Sequence, residues 1–392
     1  MIRMRTLLVL LLLLCRAGFG QEVRKALPAV AEASTWDERA KFLAGVPATG
    51  PLASLQEPAT YRAHSSDFEK MWRRYNEHYF TAMRLWSSVE LAPRTPSSAP
   101  VYYFFSGPDI ISPLALFPDA PDYLLSGLEP VGSVPAPDSL PPQRLLPALD
   151  GLRKSTDAIL SFGFFITKNM RAELDAGEFK GVTPILLVFL AMTGGEVLDV
   201  SFFGVRGDGH PVEYGAELRQ AKGELPGVRI TFRKNPLSAP QRLHYVQANV
   251  ANDELREKSG LLHWAEGFGP GNVYLKAASY LLHESYFSRI RGFLLAQARS
   301  VLQDDSGIPF IFFQNGEWRV WFFGTYTGTL DLFKKYHEPK LVDAFRISGV
   351  PLAFGTGYKW RLGQSNLLLA VRQDPPKAEP VVAPSKEEMP DR

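Results

Sequence analysis

Cysteine is almost absent from this 392-residue chain, with Cys15 the only one. One thiol excludes an internal disulfide framework and a cysteine-based metal centre. Histidine is scarce as well, at seven residues. No two histidines stand in an H-E-x-x-H arrangement, so the spacing that marks a zinc helix is missing. The G-x-S-x-G elbow of an α/β-hydrolase is missing too, as is any internal repeat of the length that builds solenoids. Charge of one sign is not in excess: 43 Lys and Arg face 41 Asp and Glu. That balance is not the footprint of a nucleic-acid binder, nor of a protein with a basic membrane-binding face.

What the chain does have is a leader. Residues 1–20, MIRMRTLLVLLLLLCRAGFG, carry Arg3 and Arg5, then an apolar run from Leu7 to Cys15, then Gly18-Phe19-Gly20 before Gln21. This is the pattern of a secretory signal peptide. The apolar run is shorter than the roughly 20 residues a membrane-spanning helix needs. Cleavage would remove three basic residues and no acidic ones, leaving a net charge of −1. A mature protein working in the periplasm or outside the cell meets little ATP, NAD(P)H or S-adenosylmethionine. Leu12-Leu13-Leu14-Cys15 also leaves open lipid anchoring through Cys15, although Leu14 stands where a lipobox has a small residue. Without disulfides, stability must come from a large core, which a chain of this length can build.

Composition divides the remainder. Residues 21–95 are expected to form a helical arm. Trp36 opens a short amphipathic helix, and Ser65-Ser66-Asp67 is an N-cap signal for a longer one. Along that helix Phe68, Met71, Trp72, Tyr75, Tyr79, Met83 and Trp86 make one apolar stripe at helical spacing. Residues 96–372 are expected to form an α/β domain, and the Pro-, Glu- and Lys-rich residues 373–392 a disordered tail. VYYFF (101–105), SGPD (106–109), IISPLALFPDA (110–120) and DYLLSGLEP (122–130) give strand, turn, helix and strand, a βαβ unit with parallel strands. A proline-rich connector (133–147) precedes a helix over 148–176, and Thr183-Pro184 opens a short apolar helix.

Further on, residues 196–215 predict a hairpin turning at Asp208-Gly209. Residues 228–234 and 241–250 predict two antiparallel strands, Asn252 caps a helix, and 273–302 are expected to be mostly helical. IPFIFF (308–313) and WRVWFFGTY (318–326) predict a second hairpin. A helix over 329–346, broken near Pro339, precedes a last antiparallel pair, 351–358 with 365–372.

Three sets of residues could carry chemistry. Ser106, Gly107, Asp109 and Glu129 fall at the ends of the two βαβ strands, where open α/β sheets bind ligands. Asp109 and Glu129 would act there as hydrogen-bond acceptors or, if close, as an acid/base pair. Asp304 and Asp305, with Ser306 and Gly307, make a compact oxygen-rich loop of the kind that donates ligands to Ca²⁺ or Mg²⁺, or else a helix-ending turn capped by Asp305. The third set is His244, His263 and His283, with Lys276, Tyr280 and His283 on one expected helix face.

The block from Val101 to Gly132 resembles the first βαβ unit of Rossmann-like methyltransferases. In those proteins a strand ends in a glycine turn, and an acid closing the second strand holds the ribose hydroxyls. The resemblance implies Gly107 for the turn and Glu129, 22 residues later, for the acid. It departs from the pattern at Pro108 and Ile110, because only one glycine stands where three are usual. As a whole, the chain is similar to uncharacterised exported bacterial proteins that share the SGPD…FP…GLEPVG and LQDDSGIP segments. That similarity implies export and names no activity.

The expected fold is therefore α/β, with a mixed sheet: a Rossmann-like parallel part, C-terminal antiparallel hairpins and an N-terminal helical arm. Three functions follow from the residues. The first is an envelope binding or scaffold protein with a degenerate Rossmann-like crevice, whose partner is a small molecule or an envelope component. The second is an exported hydrolase using the carboxylates at 109, 129 or 304–305, and the third a methyltransferase-like enzyme. The residues name neither a substrate nor a cofactor.

Overall fold

The structure, a computed structural model, describes residues 34–162, 177–219, 221–255 and 260–373. The leader at 1–20 with Cys15, residues 163–176 of the expected long helix, and the tail beyond residue 373 lie outside the described residues. Among the described residues no helix is long and apolar enough to cross a membrane.

The described residues open with α1 (Trp36–Leu43), α2 (Ala59–Tyr75) and α3 (Thr81–Trp86). Thr35 and Glu38 close a capping box on α1. The longer helix starts six residues before the expected cap. Ser65 therefore sits inside α2, where its hydroxyl donates to the Gly45 carbonyl. π-Helical turns at Asn76–Phe80 and Ser87–Leu91 flank α3. Of the expected stripe, Phe68, Met83 and Trp86 are buried in the core, Met71, Trp72, Tyr75 and Tyr79 are only partly buried against it, and Phe80, outside the stripe, is buried as well.

Among the described residues the body then holds α4 (Ile111–Leu116), α5 (Pro142–Phe162), α6 (Thr183–Met192), α7 (Leu261–Glu266) and α8 (Ser288–Gln297). The last is α9 (Pro339–Ser348). The proline-rich connector is not extended to its end, since α5 begins at Pro142, where proline suits a first helical turn.

The strands are β1 (Val101–Tyr103), β2 (Asp122–Gly127), β3 (Glu196–Val205), β4 (Pro211–Gly215), β5 (Leu225–Arg233), β6 (Gln241–Gln247) and β7 (Gly271–Leu275). They continue with β8 (Ala298–Gln303), β9 (Trp318–Gly324), β10 (Gly349–Val350) and β11 (Asn366–Arg372). All eleven form one sheet, in the order β10-β9-β11-β8-β7-β1-β2-β6-β5-β3-β4. Five central neighbours, β8-β7-β1-β2-β6, are parallel. Counted along the chain, their spatial order is 3-2-1-4-5, a doubly wound arrangement that reverses between β1 and β7.

Burial explains the parallel core. Every residue of β1 and β7 is buried, because helices cover both faces. Residues of α1 to α6 share one hydrophobic cluster with Val101, Tyr103, Tyr123 and Leu125. Residues of α7, α8 and α9 share a second with Tyr102, Phe104 and Leu124, the alternate positions of the same strands.

The hairpin at Asp208-Gly209 forms as expected between β3 and β4. β6 pairs antiparallel with β5 but also parallel with β2, which makes it the third strand of the parallel core. Residues 273–302 are not mostly helical, since they hold β7, α8 and β8. Asn252 caps no helix of its own and instead accepts the Arg289 N–H at the start of α8. The antiparallel C-terminal strands are present without the expected hairpins. Phe310–Phe313 is a 3₁₀ turn, and β11 lies between β8 and β9, antiparallel to both.

Candidate functional site

The carboxyl ends of β1, β2, β6 and β7 open into one crevice at the point where the strand order reverses. Its cavity is about 180 Å³, and Ser106, Gly107, Asp109, Glu129, Asn249 and Lys276 are among its lining residues. Four of the six residues singled out from the sequence therefore meet here.

The wall at β2 is set by Glu129. Its side chain is buried, and its backbone carbonyl accepts the Tyr245 hydroxyl at 2.8 Å. Burial and the neighbouring Glu129 carboxylate push the Tyr245 phenol well above its ordinary pKa. Gly127 makes room for this arrangement. A Cβ there would lie 2.4 Å from Glu129 Oε2, 2.9 Å from the Tyr245 hydroxyl and 3.1 Å from the Gly107 Cα. Gly107 itself has φ +52°, which allows the turn after β1. Ser106 spends its hydroxyl on the backbone, donating to the Gly107 carbonyl at 2.9 Å.

Asp109 faces Lys276 across the floor. The ammonium lies 2.5 Å from Asp109 Oδ2, with both side chains under 10% exposed. Asp109 also accepts the Tyr103 hydroxyl at 2.9 Å and the Ser112 N–H at 3.2 Å. Ser112 Oγ accepts from Lys276 Nζ at 3.0 Å. Burial and the Asp109 charge hold the Tyr103 phenol protonated, well above its ordinary pKa. Asp109 is thus a paired acceptor inside a saturated network. Lys276, expected on a helix, sits instead in the loop after β7.

That loop is strained. Among the described residues, four non-glycine residues adopt left-handed φ: Phe105 at 68°, Ala277 at 50°, Ser279 at 54° and Tyr280 at 55°. Each such residue costs about 1–3 kcal/mol, and such residues concentrate where function holds them. All four lie in the loops after β1 and β7, and Phe105, Ala277 and Ser279 line the crevice.

The aspartate pair after β8 holds this strain in place. Asp304 Oδ2 accepts the Ala277 N–H at 2.8 Å, and Ser306 Oγ accepts the Ala278 N–H at 2.7 Å. Asp305 accepts the Tyr280 hydroxyl and exchanges two hydrogen bonds with Asn366 at the head of β11. Tyr358 donates to the Ala277 carbonyl at 3.0 Å. Burial, and then the charge of Asp305, raise the Asp304 carboxyl to about 7. Burial raises Asp305 as well. Asp304 and Asp305 do not line the crevice. They brace it from behind, and their oxygens are occupied by protein donors. Among the described residues no group of three or more His, Asp or Glu side chains is placed to hold a metal ion.

The histidines lie elsewhere. His244 is buried on β6, 2.9 Å from Asp122, His263 is exposed beside Glu266, and His283 is held down to about 4 by burial. From the sequence Lys276 was singled out with Tyr280 and His283 on an expected helix face, not beside Asp109, and Tyr358 and Asn249 were not singled out. A lysine directly after the apolar run NVYL was the available signal for Lys276.

No family model, curated protein or solved structure matches the chain.

Proposed function

We propose that this protein binds a nucleoside-type small molecule in the crevice, with Glu129 accepting hydrogen bonds from the vicinal hydroxyls of its sugar. The observation that carries the reading is the left-handed backbone at Phe105, Ala277 and Ser279. The strain lies in the two loops bordering the strand reversal, and in the loop after β7 it is braced by Asp304, Ser306 and Tyr358. A fold that needed these loops only as connections would have placed glycine there. The acid at the end of β2 supplies the acceptor that a ribose requires. The single glycine at 107, flanked by Pro108, provides no cradle for a pyrophosphate, so the ligand is a nucleoside or its sulfonium derivative rather than a dinucleotide.

A finer reading is methyl transfer from S-adenosylmethionine. One observation favours it: antiparallel β11 lies between β8 and β9, an order shared, by fold analogy, with Rossmann-like methyltransferases. The hydrolase reading draws less support, since Asp109 is committed to Lys276 and the aspartate pair faces away from the crevice.

Thermal unfolding of the protein with adenosine, S-adenosylmethionine and cell-wall sugars tests the binding. A ligand at 100 times its Kd adds about 2.7 kcal/mol. The expected result is a shift with an adenosyl compound that Glu129→Gln abolishes. A cooperative transition unmoved by every compound would overturn the reading and leave a scaffold with a vestigial crevice. Export forms part of the same proposal. It predicts a mature chain beginning near Gln21, which N-terminal sequencing of the secreted or periplasmic fraction would check.

A further inference from the structure

A second cleft opens on the other side of Lys276. It lies between the helical arm and α5, has a cavity of about 210 Å³, and is lined by Met71, Tyr75, Tyr79, Leu160 and Trp360. A narrow inner extension, sharing Tyr75, Tyr79, Leu160 and Trp360, reaches Ser112 and Lys276. Lys276 therefore lines both this extension and the crevice.

Three features indicate a built site rather than a packing gap. The first is aromatic arrangement: Tyr75 and Tyr79 stand 5.5 Å apart, with Trp72 stacked on Tyr75 at 6.0 Å. The second is the π-helical turn at Asn76–Phe80, which carries Tyr79 and directly follows Tyr75. Such a turn inserts one extra residue, sacrifices regular hydrogen bonding and recurs at functional sites. The third is charge: Lys70 and Arg74, one helical turn apart on α2, line the cleft with Asp157 as the one carboxylate. The inner end is polar too, because Ser112 and Lys276 line it and Lys276 donates to the Ser112 hydroxyl.

We propose that this cleft is a second ligand site, for a flat aromatic anion. Its ring system lies among Tyr75, Tyr79 and Trp360, and its acidic group faces Lys70 and Arg74. Rings of this kind stack well on tyrosine and tryptophan, and two cations at the rim favour an acid over a neutral or cationic analogue. The site goes beyond the crevice reading and does not depend on it.

The test uses three probes of one shape: 2-naphthoate, 2-naphthylmethanol and 2-naphthylmethylamine, measured by calorimetry on the intact protein. The acid is expected to bind at least about tenfold more tightly than the other two. Lys70→Glu with Arg74→Glu, both at exposed positions, should remove that preference, and Trp360→Ala should weaken all three probes. Glu129→Gln should leave 2-naphthoate binding within about twofold of the parent. Equal affinity for the three probes, indifference to Trp360→Ala, or loss of binding in Glu129→Gln would each overturn the proposal. The last result would place the probe in the crevice instead. Absence of binding by any probe at millimolar concentration would overturn it as well.

Discussion

Replacing Lys276 by methionine keeps most of the side chain's length and removes its charge. In the native protein the ammonium sits 2.5 Å from Asp109 Oδ2, with each partner under 10% exposed. At an effective dielectric near 20, two charges about 4 Å apart attract by about 4 kcal/mol, and desolvating the two ions costs a similar amount. The intact pair therefore adds little net stability, whereas breaking it strands a buried carboxylate, typically at about 3–5 kcal/mol. Asp109 keeps the Tyr103 hydroxyl and the Ser112 donors, so the lower end, about 3 kcal/mol, is expected for Lys276→Met. Asp109→Leu on that background removes the stranded charge. The double variant should recover about 2 kcal/mol of the loss, short of the parent because Tyr103 is left without its acceptor. Urea unfolding of the four proteins measures all of this as a double-mutant cycle. A single-variant loss under about 1 kcal/mol, or a double variant no more stable than Lys276→Met, would refute the account of a buried pair holding the two loops together.

The strained loop predicts that Ala277→Gly stabilises the fold by about 1 kcal/mol, the relief of left-handed strain exceeding the added unfolded-state entropy. A loss in chemical denaturation would contradict it. Gly127→Ala pushes a methyl to within 2.4 Å of Glu129 Oε2, so calorimetry should show adenosyl affinity falling at least about tenfold. Glu338 accepts the Phe310 N–H at 2.9 Å, and burial raises its carboxyl from 4.5 to about 7. The folded state thus keeps a proton that the unfolded chain releases, and this residue's contribution falls as pH rises from about 4.5 to about 7. Glu338→Gln should match the parent near pH 4 and exceed it at pH 8, by on the order of 1 kcal/mol after solvent screening. Equal stability at both pH values would show that the carboxyl titrates normally.

Local patterning made the β1–α4–β2 unit legible, and with it the glycine turn and Glu129. The strands there are short, apolar and punctuated by glycine and proline, so sequence order and spatial order agree. The other half of the crevice was hidden because β7 is buried on both faces. A strand without alternation cannot be told from a buried helix by periodicity, and Lys276 was accordingly placed on a helix. The aspartate pair was visible as an oxygen-rich loop. Its bracing role rests on Ala277, Ala278 and Tyr280, more than 20 residues earlier in the chain, a relation that spacing does not encode. The C-terminal strands misled for a related reason. Adjacent β-prone segments normally pair as hairpins, whereas here β11 takes a place between two strands synthesised long before it.

That placement has a consequence for how the protein comes into being. Until residues 366–372 exist, β8 and β9 have no bond partner between them, and Asp305 lacks Asn366. The growing chain therefore carries two open strand edges until that strand is made, the condition in which chains associate wrongly. A nascent polypeptide of this design must be chaperoned or kept extended until residues 366–372 have emerged.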